Sequence, residues 1–120
     1  MYGRNASNVY QRNQVLTASP KKLVTLLLEG CIKNLKLAEL YIEENNISEA
    51  NHALIKAQDI IQELNNTLDF EAGGEVALNL HSVYDYVLNE LIQANIHKSV
   101  TIVKTCRGLI EDLNATWDQL

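Results

Sequence analysis

Three histidines (His52, His81, His97) and two cysteines (Cys31, Cys106) are the side chains best suited to hold a metal or attack a substrate. No two of them lie three or four residues apart, the spacing that puts two ligands on one helix face. No histidine is expected to have a second ligand at i+3 or i+4, and the Glu-x-x-His signature of a di-metal bundle is not expected. The cysteines have no CxxC partner, so neither a zinc cluster nor a redox motif is written. Gly73-Gly74 lacks the Gly-Lys-Ser/Thr of a phosphate loop. Glu43-Glu44 and Glu111-Asp112 are adjacent acids that diverge around a helix and read as solvated surface. Nothing in these spacings argues for an enzyme, a bound metal or a cofactor.

The elements around those residues are helical. One proline and five glycines in 120 residues leave little punctuation for a many-stranded fold. The chain is long enough for one domain with one core. No run approaches the roughly 18 apolar residues of a membrane span, and the polar start MYGRNASNVYQRNQ has no signal-peptide core. The expectation is therefore a cytoplasmic chain with no membrane insertion and two buried, reduced thiols. Net charge is −5, and residues 37–120 carry fourteen acids against four bases. Without a basic stripe, no nucleic-acid partner is expected.

Residues 1–18 show no sustained period and read as an arm that docks on a body or hangs free of it. Residues 19–120 form the body. Ser19-Pro20 announces a first helix running to about Asn45, with Leu23, Leu27, Gly30, Cys31, Ala38 and Tyr41 inward. Asn34 falls on that face and needs a polar partner. A second stripe, Val24, Leu28, Ile32 and Leu35, lies about 100° round the helix and is expected to face outward. Asn46 with Glu49 caps a second helix to about Leu68, in which Ile55 alone among the large apolar residues points outward, beside Lys56. Asp69–Gly74 is the next connection.

The third helix, Gly73–Asn95, places Val76, Ala77, Leu80, Val83, Tyr84, Val87, Leu91 and Ala94 on one face. Leu78 and Tyr86 point away from it, so Tyr84-Asp85-Tyr86 sends one ring inward and one outward. Ser99 caps the last helix, whose inward side is Ile102, Val103, Cys106, Leu109, Ile110, Leu113, Trp117 and Leu120. Four amphipathic helices of about 22–26 residues with short loops predict an all-α, antiparallel up-and-down four-helix bundle. Its surplus apolar residues predict a groove for an amphipathic partner segment, lined by Val24, Leu28, Ile32, Leu35, Ile55, Lys56, Leu78 and Tyr86.

With these residues in place, the chain resembles the flagellin-specific export chaperones, the FliS family. The resemblance runs through Tyr10, Val15 and Thr17-Ala18-Ser19-Pro20-Lys21-Lys22-Leu23, then Leu26–Ile32 with Gly30 at its centre. It continues in Ile55-Lys56-Ala57, Ile60-Ile61 and Glu63-Leu64. It is densest at Leu80, Tyr84-Asp85-Tyr86, Leu91 and Ala94-Asn95, and closes with Trp117. Leu26-Leu27-Leu28-Glu29-Gly30 departs from the family's usual Met-Leu-Tyr-Asp-Gly. The resemblance implies a bundle that binds the flagellin C-terminal region, blocks premature polymerisation and meets an export-gate component. It also makes Tyr10, Val15 and Leu16 a plug for the client groove. The competing expectation is a regulatory bundle that sequesters another protein in the same groove.

Overall fold

The computed structural model describes residues 19–119. Four helices fill this span: α1 (Pro20–Glu43), α2 (Ile47–Asn66), α3 (Phe70–His97) and α4 (Val100–Asp118). Each starts on a side chain able to accept from free backbone amides. Ser19 Oγ accepts from Lys22 N at 3.2 Å, Asn46 Oδ1 from Glu49 N at 3.3 Å, and Ser99 Oγ from Ile102 N at 3.3 Å. Asp69 Oδ1 accepts from both Glu71 N and Ala72 N, at 3.1 and 3.0 Å. Such caps contribute about 1 kcal/mol each and set where the chain turns.

α1 and α3 each pack against both α2 and α4, which places the helices in a square with sequence neighbours adjacent. Bonds between helices give the antiparallel sense. Trp117 near the end of α4 reaches Lys21 at the start of α1, and His81 early in α3 meets Asn65 late in α2. Asn95 Nδ2 late in α3 donates to Asn51 Oδ1 early in α2 at 2.8 Å. The α3–α4 corner needs a left-handed residue, Lys98 at φ 49°, whose ammonium donates back to the Asn95 carbonyl at 2.6 Å. The architecture is thus the all-α four-helix bundle that the periodicity predicts.

The core corrects the expected orientation of α1. Leu28 and Leu35, placed outward in the sequence reading, are 2% and 0% exposed and stand with Cys31 and Ala38 at the centre. Val24 and Ile32 are partly buried against the same core, as is Leu27 on the expected inward face, and Leu23 is half-buried. A helix at the corner of a square meets two neighbours at once. Two apolar stripes about 100° apart are therefore the two walls of that corner, and the centre of the buried arc lies between them. The wall toward α2 carries Gly30, where a Cβ would meet Ile60 Cδ1 at 3.5 Å. The wall toward α4 carries Glu39, bound to Arg107. Asn34 needs no partner from another helix, because its Nδ2 donates to the Gly30 carbonyl at 2.8 Å.

Smaller corrections follow the same geometry. A helical turn from Phe70 precedes a break at Gly74, after which α3 runs on from close to the expected Gly73 start. Val76 is exposed although its angle is right for the core, because it lies where the end of the bundle opens. Ile47, like Ile55, is an exposed isoleucine of α2. Tyr84 is buried and Tyr86 exposed, as the sequence orients them.

Cys31 and Cys106 are free thiols, 0% and 1% exposed. Burial, aided by the Cys106 sulfur, pushes Cys31 up to about 12; burial, aided by Glu90, pushes Cys106 up to about 11. In the unfolded chain both titrate near 9.0. The unfolded state therefore loses its thiol protons first as pH rises. The thiols' contribution to stability is intact below pH 9 and is lost as pH climbs toward 11 and 12. Melting curves across this window should fall more steeply for the wild type than for a Cys31→Ala/Cys106→Ala double variant. Equal slopes would show that the thiols do not carry the effect.

Candidate functional site

The most apolar cleft, of about 360 Å³, lies at one end of the bundle. Val24 and Leu28 contribute from α1, Leu113 and Trp117 from α4, and Ala77, Leu80 and Tyr84 from α3. The α2–α3 connection and the first turn of α3 supply Leu68, Asp69, Ala72 and Gly73. Each position follows from its helix. Leu28 forms part of the lining although its side chain also closes the core, and Tyr84 projects inward with its ring buried. Burial, followed by the nearby Cys31 sulfur, raises the Tyr84 phenol above its ordinary range and keeps it neutral. Trp117 is pinned by its indole N–H, which donates to the Lys21 carbonyl at 3.2 Å and to Thr25 Oγ1 at 3.1 Å. With few polar groups along its walls, the cleft suits apolar side chains and offers no constellation for bond-making chemistry.

The expected partner-binding residues do not gather into one groove. Val24 and Leu28 line the cleft. Ile32 lies farther along α1 in shallow depressions, one shared with Lys33 and Leu37, the other with Glu111 and Asn114 of α4. Leu35 has no surface to offer and leaves the set. Lys56 edges a separate hollow between α1 and α2, beside Tyr41 and His52. Ile55, Leu78 and Tyr86 are exposed at 44%, 57% and 51%. Tyr10 lies outside the described residues, as do Val15 and Leu16.

The sequence reading passed over other apolar surface. Ile92 and Ile96 are exposed on α3, and by helical period they share the Leu78 face, one turn-multiple farther along. That signal was available from spacing alone. Leu40 and Phe70 are exposed as well.

Titratable clusters are sparse. Contrary to the expectation from spacing, one Glu-x-x-His is present, Glu49 and His52 standing 3.8 Å apart, and His81 has an i+4 partner, its Nε2 3.2 Å from Asp85 Oδ2. Among the described residues no group of three His, Cys, Asp or Glu side chains is placed to hold a metal ion. Nor is any helix among them long and apolar enough to cross a membrane.

Comparison with known proteins decides among bundles of this shape. The sequence matches the family described as "Flagellar protein FliS" over residues 3–120. The chain belongs to the FliS family. It is 38% identical over 116 residues to the flagellar secretion chaperone FliS of Bacillus subtilis (strain 168), covering 97% of this chain and 86% of that one. Against the FliS of Salmonella typhimurium (strain LT2) identity is 34% over 115 residues, 95% of this chain and 85% of the relative. The Escherichia coli (strain K12) FliS is 31% identical over 124 residues, with 99% and 91% covered.

Proposed function

We propose that this chain is a cytoplasmic, non-enzymatic chaperone. It holds the C-terminal region of unassembled flagellin, prevents premature polymerisation, and presents the subunit to a component of the flagellar export gate. The observation that carries this reading is the apolar cleft at the end of the bundle, in a chain whose relatives are flagellar secretion chaperones along nearly their whole length.

Ile55, Leu78 and Tyr86 are exposed and none of them lines the cleft, so a segment confined to the cleft would not reach them. A client that follows the surface in several short pieces would. Ordering such a segment costs conformational entropy, which many modest apolar contacts offset together. Lys56 adds a cation beside Ile55 for a client carboxylate or carbonyl.

Residues 1–18 join the bundle at Ser19, two residues before Lys21, whose carbonyl holds the Trp117 indole at the cleft wall. Tyr10, Val15 and Leu16 are the candidate plug residues of this arm, to be displaced by the client.

Calorimetric titration of the full chain with flagellin should give a stoichiometric complex that disappears when the flagellin C-terminal segment is removed. Tight binding that survives the truncation would overturn the reading. Leu78→Asp and Ile55→Asp should each weaken binding roughly tenfold while leaving the melting temperature nearly unchanged. In the same assay, deleting residues 1–17 should speed client association; unchanged kinetics would remove the plug.

A further inference from the structure

Gly74 breaks α3 one turn after it starts, with φ 50° and ψ −123°. L side chains rarely adopt this combination. On one side of the break Asp69 caps Glu71 and Ala72, and Gly73 N donates to the Asp69 carbonyl at 2.8 Å. On the other the helix runs on to His97. Phe70–Gly73 is therefore a separate helical turn.

The two glycines have different duties. In a regular helix, Cβ atoms four residues apart lie about 5–6 Å from each other. A Cβ on Gly73 would lie 2.9 Å from that of Ala77, so this first turn is folded over against the next one. Gly73 permits the close approach, and Gly74 supplies the reversal. At Gly74 itself there is space, for a Cβ there meets nothing within 4 Å. Its backbone angle, and not crowding, holds the turn over.

The folded turn forms one wall of the cleft through Ala72 and Gly73. It is lightly fastened, since every residue from Asp69 to Val76 is exposed. Its aromatic tie is Phe70, whose ring meets that of His81 edge-on at 5.8 Å and 81°. His81 in turn is braced by Asn65 at 2.8 Å and Asp85 at 3.2 Å. Ordinary helical angles at Gly74 would carry Phe70 and Ala72 out along the axis of α3 and uncover Ala77.

We propose that Phe70–Gly73 is a lid that turns about Gly74 and regulates how widely the cleft opens to an entering apolar segment. The segment's identity as flagellin rests on the function proposed above; the motion of the lid does not.

Trp117, the single tryptophan, lines the cleft and reports on it directly. Gly74→Ala penalises only the reversed backbone and should shift the lid equilibrium toward the open form roughly tenfold. Phe70→Ala removes an exposed anchor and should shift it the same way, about threefold. In both full-length variants, acrylamide should quench Trp117 more strongly than in the wild type, and stopped-flow association of a flagellin C-terminal peptide should be faster. If Gly74→Ala fails to fold, Phe70→Ala decides. Folded variants with wild-type quenching would overturn the lid and leave the chaperone reading standing if the peptide still binds. Increased quenching without any peptide binding would support the lid and remove flagellin as the client. An opened lid with unchanged association would overturn its regulatory role.

Discussion

Leu35→Ala should destabilise the protein by about 3 kcal/mol, the middle of the range for a buried leucine cut back to its Cβ. Urea denaturation followed by circular dichroism should show the midpoint falling with little change in slope, as expected when stability changes without altering the surface exposed on unfolding. Leu35 is 0% exposed, in one core with Cys31, Leu54, Val87 and Ile110. Removing its branched end leaves a cavity that rigid helices on four sides cannot fill. Val24→Ala, on the half-buried cleft wall, should cost far less, about 1 kcal/mol. A loss below about 1 kcal/mol for Leu35→Ala would mean that the side chain does not close the core, and would return it to the partner-binding face.

Arg107→Leu should be the most damaging polar substitution, at about 3 kcal/mol. Arg107 Nε and Nη2 both donate to Glu39, the latter at 3.1 Å to Oε1, while Nη1 donates to Glu111 Oε1 at 2.9 Å. The Glu39 hydrogen bonds, more than any other influence, hold the guanidinium even more firmly protonated than an ordinary arginine. The Glu39 side chain is only 10% exposed, so losing Arg107 strands a carboxylate between α1 and α4 with little water to replace it. Replacing both partners by leucine should recover most of the loss, because an apolar pair removes the desolvated charge altogether. A double-mutant cycle in chemical denaturation measures the coupling, and a double variant as unstable as Arg107→Leu would show that Arg107 acts through packing. The outlying Lys104–Glu43 pair, 3.7 Å apart with both side chains more than half exposed, should contribute almost nothing.

Local chemistry made much of this fold legible. Ser19-Pro20, Asn46 and Ser99 mark helix starts by side chains that reach only three residues, so no knowledge of the fold is needed to interpret them. α4 was plain for another reason: with a single apolar stripe, it has one direction in which to face. α1 carries two stripes, and periodicity alone does not say whether the second faces a neighbour or water. That depends on how many helices surround it. The same blindness hid Glu39, whose partner lies 68 residues away. At the cleft, Trp117, Leu80 and Tyr84 were readable as inward residues, but not the gap between them. Gly73-Gly74 announced a turn without revealing that a helical turn already precedes it, because the deciding quantity is a pair of dihedral angles.

The pairing of α1 with α4 also sets the order of events during synthesis. Thr25 meets Trp117 across 92 residues, and the Glu39–Arg107 contact spans 68. Until the ribosome has released α4, the α4-facing wall of α1 has no partner, and α2 and α3 can offer it only half a bundle. The nascent chain therefore keeps a leucine-rich surface open until translation has passed Trp117, and factors that shield emerging apolar segments have their longest opportunity on α1.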